Sequence, residues 1–133
     1  MTELLEIAGP GATVRKARVA LFDFDGTLSL IRSGWMDVMV PMMVNILLDL
    51  KTGESEEELR SLVEDYVWRL TGKETIYQMF ALSEAIQARG GKPLDALEYK
   101  KMYLDALWVR IESRVEELKK GHVSPEKYLV PGS

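Results

Sequence analysis

Cysteine is missing from this 133-residue chain, and histidine occurs once, at His122. Without thiols, a disulfide framework and thiolate metal sites are excluded. A basic stripe is missing too. The chain has 17 Lys and Arg against 21 Asp and Glu, a net charge of −4, with the two signs interspersed. No nucleic-acid footprint is expected from such a surface. The N-terminal MTELLEIAGPGATVRKARV lacks the basic-then-apolar pattern of a signal peptide. Long hydrophobic runs are also absent. The most apolar stretch, Trp35 to Leu50, is interrupted by Asp37, Pro41, Asn45 and Asp49 and is too short to span a bilayer. These absences lead to the expectation of a soluble, cytoplasmic protein without membrane contact.

Enough apolar residues are present for a core: 47% are hydrophobic and 29% charged, an ordinary globular balance that argues against disorder. The length suits one modest domain. Leu4, Leu5 and Ile7 suggest a short N-terminal helix, closed by the turn signal Gly9-Pro10-Gly11. Val19-Ala20-Leu21-Phe22 is an unbroken apolar run of the kind that suits a strand buried on both faces. A lone strand leaves its backbone groups unpaired, so part of a sheet is expected to be missing.

Four helical patterns follow. Trp35, Val38, Met39, Met42, Met43, Ile46, Leu47 and Leu50 fall at helical spacing, with Pro41 as a kink or first-turn residue and Gly53 closing the segment. Ser55 with Glu58 three residues on is a capping-box pattern. Leu59, Leu62, Val63, Tyr66, Val67 and Leu70 supply the stripe behind it. A third helix over 74–88 turns Ile76, Met79, Phe80, Leu82, Ala85 and Ile86 inward and stops at Gly90-Gly91. A long fourth helix from Asp95 to Lys120 carries Leu97, Leu104, Trp108, Ile111, Val115 and Leu118, the spacing of a bundle seam. That stripe is expected to face the others. Met39, Met42 and Met43 read as adaptable core packing, and Trp35, Trp68 and Trp108 as bundle core. His122 reads as a residue of an exposed turn.

The chemistry-bearing feature is Leu21-Phe22-Asp23-Phe24-Asp25-Gly26-Thr27-Leu28. Two carboxylates two residues apart sit where an apolar run opens into a glycine turn. Such a pair can share a hard cation. One carboxylate can attack phosphorus, and the other can shuttle the proton. On residue type alone, two aspartates in a turn also serve simply to cap the next helix. A calcium loop fits poorly, because counting from Asp23 its fifth and twelfth positions are Thr27 and Gly34.

This run resembles the first signature of the haloacid dehalogenase superfamily, and the helical segment after it resembles the cap that phosphoglycolate-phosphatase-like members insert there. The resemblance spans residues 17 to 133 and is sharp only at the motif. It implies an α/β parent with a Rossmann-like core and helical cap, of which this chain would hold one core strand and a four-helix cap. It implies residues 1–28 as first strand and catalytic loop, 29–127 as cap, and 128–133 as the return hinge at Pro131-Gly132. It also implies a magnesium-dependent phosphatase acting through an aspartyl phosphate on a small phosphorylated metabolite. Asp23 would be nucleophile and metal ligand, and Asp25 general acid/base and carbonyl ligand to Mg2+. The backbone at Phe24 and Asp25 would hold phosphate, with Gly26 and Thr27 shaping the loop. Arg32 and Lys73 are weaker candidates for an anionic substrate, with solvated surface cations as their plainer reading. The family's later Ser/Thr, Lys and acidic-pair signatures are not found before Ser133, so the chain reads as an N-terminal, inactive part. Two alternatives stand beside this reading: a phosphomutase of the same superfamily, and a non-catalytic helical interaction module. Self-association through the exposed strand or the helices is expected.

Overall fold

The structure, a computed structural model, describes residues 18–133. The suggested N-terminal helix and the Gly9-Pro10-Gly11 turn lie outside the described residues. Four α-helices follow one another: α1 Met36–Leu48, α2 Glu56–Arg69, α3 Thr75–Ala88 and α4 Ala96–Lys119, then a 3-10 turn, Pro125–Tyr128. The chain divides into two compact units. Among the described residues, one comprises 18–33 together with Ser113–Ser133, and the other is Gly34–Glu112.

In the unit Gly34–Glu112, helix ends form where local chemistry satisfies the terminal N–H groups. At the start of α2 the Glu58 N–H donates to Ser55 Oγ (3.2 Å) and the Ser55 N–H to Glu58 Oε2 (2.8 Å), a reciprocal capping box. Glu56, Glu57 and Glu58 complement the positive end of the helix dipole. Ser55→Ala is expected to cost about 1 kcal/mol. Urea unfolding checks this, and a variant as stable as the parent would show the cap to be idle. Asp95 opens α4 in the same way, accepting from the Leu97 N–H (2.8 Å) while its own N–H donates to Glu98 Oε2 (3.2 Å). Pro41 lies inside α1, where it withholds the N–H that would meet the Asp37 carbonyl.

The core of this unit is a single cluster. Met39, Val40, Met43, Val44 and Leu47 come from α1, Leu59, Val63, Tyr66 and Val67 from α2, Met79, Leu82 and Ile86 from α3, and Ala96, Tyr99, Tyr103 and Leu107 from α4. The Tyr66 hydroxyl donates to Met43 Sδ at 3.3 Å, and burial pushes its pKa up. The stripe of α2 falls where the periodicity places it, whereas the buried face of α1 is turned: Val40 and Val44 join Met39, Met43 and Leu47 inside, and Val38, Met42 and Ile46 are only partly buried. In α3, Gln78 is buried and Phe80 is half-exposed, a reversal made tolerable because the Gln78 amide donates to the Val67 carbonyl at 3.3 Å. In α4 the expected stripe is turned outward. Leu97, Leu104 and Trp108 are exposed, and Tyr99 and Tyr103 take the inner face. Trp68 and Trp108 are therefore surface residues.

One ion pair ties the loop after α1 to the end of α3. Arg89 donates from Nε to Glu54 Oε2 (2.7 Å) and from Nη2 to Glu54 Oε1 (2.6 Å). Those hydrogen bonds, with one from Thr52, lower the Glu54 pKa from 4.5 to about 2. A carboxylate lowered in the folded state stabilises the fold above its unfolded pKa. That contribution is lost as pH falls through the folded value. Glu54→Gln should therefore melt lower than the parent at neutral pH, and the gap should close as pH drops from about 4.5 towards about 2. A gap that stays constant over that range would contradict the assignment.

The α/β expectation is corrected. The described residues contain no β-strand, only isolated bridges, Asp25 with Ser29 and Ser29 with Leu129. Val19, Leu21 and Phe22 are exposed rather than buried. The physical reason is pairing. An apolar run becomes a core strand only when neighbouring strands take up its N–H and C=O groups. Among the described residues no extended segment lies beside 19–22, so no Rossmann-like core strand forms.

Candidate functional site

The motif segment belongs to the unit that ends at Ser33 and resumes at Ser113. The Phe24 carbonyl accepts from the N–H groups of Thr27 (3.3 Å), Leu28 (3.0 Å) and Ser29 (2.9 Å), and the Gly26 N–H donates to the Ser29 carbonyl (2.8 Å). Gly26 takes φ +75°, which a residue with a Cβ adopts at a cost. This tight turn is held from the C-terminal side. The Leu30 N–H donates to the Tyr128 carbonyl (2.7 Å), and the Val130 N–H to the Leu28 carbonyl (3.1 Å). Arg114 adds a three-way clasp, its Nη1 donating to the carbonyls of Ile31 (2.6 Å), Ser33 (2.9 Å) and Leu30 (3.5 Å). Its guanidinium lies 5.6 Å from the Tyr128 ring centroid.

The candidate site residues are divided between the two units. Asp23, Phe24 and Thr27 lie in the exposed stretch of the turn. The Asp25 carboxylate is engaged by Arg32, Nη1 to Oδ2 at 2.7 Å, so Arg32 acts as the counter-ion of Asp25. Lys73 stands in the other unit, its Nζ 5.9 Å from the Tyr77 ring centroid. His122 is exposed in the turn after α4.

The magnesium expectation is corrected by this geometry. Among the described residues no group of three or more His, Cys, Asp or Glu gathers to hold a cation. Asp23 and Asp25 sit on an exposed turn, no third acid joins them, and one of the two is paired with an arginine. The haloacid dehalogenase resemblance is corrected with it. The described residues form helices and turns, with neither a core strand nor a metal-binding cluster. The phosphohydrolase activity, and the phosphomutase that shares its site, lose their support here.

The structure instead draws attention to a surface in the unit Gly34–Glu112. α4 has apolar residues on two sides. Its inner face spends Ala96, Tyr99, Tyr103 and Leu107 on the core. Continuing that face, Arg110 Nη1 donates to the Gly34 carbonyl at 2.9 Å, and Arg110 Nη2 lies 3.6 Å from Asp37 Oδ2. Its outer face presents Leu97 (65% exposed), Leu104 (41%) and Trp108 (61%), while Ile111, next at the same spacing, is partly buried against the core. Along one edge of this seam stand Glu98, Asp105 and Glu112, each seven residues apart and each immediately following a seam position. Lys101 Nζ lies 2.5 Å from Asp105 Oδ2. The sequence reading missed this acidic row and the clasping arginines. The row was legible as a seven-residue repeat, and Arg110 and Arg114 extend the Tyr99–Tyr103–Leu107 face at steps of three and then four. A second feature, a groove of about 510 Å3 between α2 and α3, is lined by Tyr66, Leu70, Tyr77, Phe80, Arg69 and Glu84. No described helix is long and apolar enough to cross a membrane. Comparison with family models, with curated proteins and with solved structures finds no match to this chain.

Proposed function

We propose that this chain is a non-catalytic helical interaction module that holds another polypeptide against its exposed apolar surface. The observation behind this reading is the second apolar face of α4. A helix that is apolar on one side is satisfied by one core, and a helix apolar on two sides calls for a second covering surface. Leu97, Leu104 and Trp108 remain largely open to solvent although Tyr103 and Leu107 already anchor the helix. A clustered aromatic and aliphatic patch of this kind is where hot-spot residues concentrate in protein interfaces. The exposed run Val19, Leu21, Phe22 and Phe24 adds further uncovered apolar surface in the other unit. A cytoplasmic setting belongs to the same proposal, since a cysteine-free chain suits a reducing compartment.

The test is selection of a display library of short polypeptide segments on the purified 133-residue protein. Each enriched segment is then rebound to a Leu104→Asp/Trp108→Asp variant and to a Leu21→Asp/Phe22→Asp variant. Enrichment that one of the two variants abolishes is the expected result. If no segment enriches, or if those that do bind both variants unchanged, the interaction reading is wrong for these surfaces.

A further inference from the structure

We infer that the outer face of α4 receives one amphipathic helix of a partner protein, and that the partner carries Lys or Arg along one flank of its apolar stripe. This rests on the interaction-module reading and specifies its partner. Three features of the face fix the chemistry. The first is spacing. The exposed Leu97, Leu104 and Trp108 step by seven and four residues, and Ile111, itself packed partly against the core, follows at three, the repeat that packs one helix against another knobs-into-holes. A flat ligand or an added strand gains nothing from that period, whereas a helix laid along it meets each seam residue in turn. From Leu97 to Trp108 the exposed seam runs about 17 Å, so the partner helix needs on the order of three turns.

The second feature is charge. Glu98, Asp105 and Glu112 line one edge of the seam at seven-residue intervals. A partner with basic residues at the same interval neutralises all three. Asp105 already has Lys101 as a neighbour, and Glu98 accepts from the Asp95 N–H. Both keep exposed side chains, and Glu112 is exposed as well.

The third feature excludes a second copy of this chain as the occupant. In an antiparallel pair that sets Leu104 against Trp108, the two acidic edges would run side by side, with Asp105 offset from its own equivalent, and Glu98 from Glu112, by only about 3 Å along the axis, all of one sign. In a parallel pair in register, Lys101 would stack on Lys101 within the seam. Like charges at flanking or seam positions select against such pairings. The face is suited to a basic helix and unsuited to itself.

Two synthetic amphipathic helices that share one leucine stripe and differ only at the flanking positions, Lys in one and Glu in the other, serve as probes. Their fluorescence anisotropy is followed on titration with the full 133-residue protein. The lysine-flanked helix is expected to bind about tenfold more tightly, as three exposed charge pairs allow, with the advantage shrinking as salt is raised. Asp105→Lys/Glu112→Lys should invert the preference. Leu104→Asp/Trp108→Asp should abolish binding of both probes while leaving the melting temperature close to that of the parent, because neither side chain belongs to the core. Equal binding of the two probes, or no inversion by the charge-reversed variant, overturns the basic-partner assignment. Absence of binding by either probe overturns α4 as the docking face. In both cases the library selection still judges the interaction-module reading independently, since its second variant reports on the segment 19–24.

Discussion

Tyr103→Ala is expected to remove about 3–5 kcal/mol from the unfolding free energy, while Trp108→Ala, five positions further along α4, should change it by no more than about 0.5 kcal/mol. Tyr103 is 2% exposed and sits in the central cluster, so truncation leaves a cavity lined by residues that cannot fully collapse into it. Trp108 is the larger side chain and by residue type the better candidate for a core. Its ring is mostly solvated, and alanine is also the better helix former. Against the 5–15 kcal/mol of an ordinary domain, the first loss is severe and the second negligible. Chemical denaturation of both variants at one temperature decides the matter. Should Trp108→Ala prove the more damaging, the assignment of inner and outer faces of α4 is wrong, and the proposed docking surface goes with it.

A comparable contrast is expected in α3. Leu82→Ala should cost about 2–5 kcal/mol, and Phe80→Ala well under 1 kcal/mol. Leu82 is fully buried in the central cluster. Phe80 is half-exposed and meets Tyr77 edge-to-face, with ring centroids 6.1 Å apart, above the groove between α2 and α3. Its removal forfeits part of one aromatic contact and little desolvation. Thermal melts report the difference directly: several degrees per kcal/mol for a chain of this size. Equal melting temperatures for the two variants would mean that the α3 stripe is not oriented as described.

Much of the helical framework was legible in the residues themselves. The Ser55–Glu58 capping box starts α2 because two side chains and two N–H groups close on one another without help from the rest of the chain. The inner stripe of α2 was legible because that helix has a single apolar face, so only one orientation buries it, whereas α1 is apolar nearly all round and packing chose Val40 and Val44 over Val38, Met42 and Ile46. Helix ends near Gly53, Gly72, Gly90 and Gly121 were legible too. All four glycines take positive φ, where the chain leaves the helical conformation at little cost.

The motif shows the opposite case. Asp23-Phe24-Asp25-Gly26-Thr27 was legible as a tight turn carrying two carboxylates, and that turn is present. Its expected chemistry depended on groups supplied by distant parts of a chain: a sheet around residues 19–22, and further acids beside Asp23 and Asp25. Local sequence has no means of stating whether such groups arrive. In the described residues Asp25 meets Arg32, seven positions away, and the turn is held by Arg114 and the segment 128–130 rather than by a sheet.

The sequence by itself determined where helices begin and end and which residues could be buried, because caps, glycine breaks and 3.6-residue periodicity act over one or two turns. Only the tertiary structure decided between the two apolar faces of α4. Leu97, Leu104 and Trp108 form as good a stripe as Ala96, Tyr99, Tyr103 and Leu107, and hydrophobicity alone ranks the first above the second. The choice went to the tyrosine face because burial is settled by fit against α1, α2 and α3. The backbone Leu94 N–H donates to the Tyr99 hydroxyl at 3.0 Å, and the arginines that follow on that face reach the carbonyls of Gly34 and of residues 30–33. Polar groups that find partners can be buried at little cost, so the more apolar stripe was the one left for a partner.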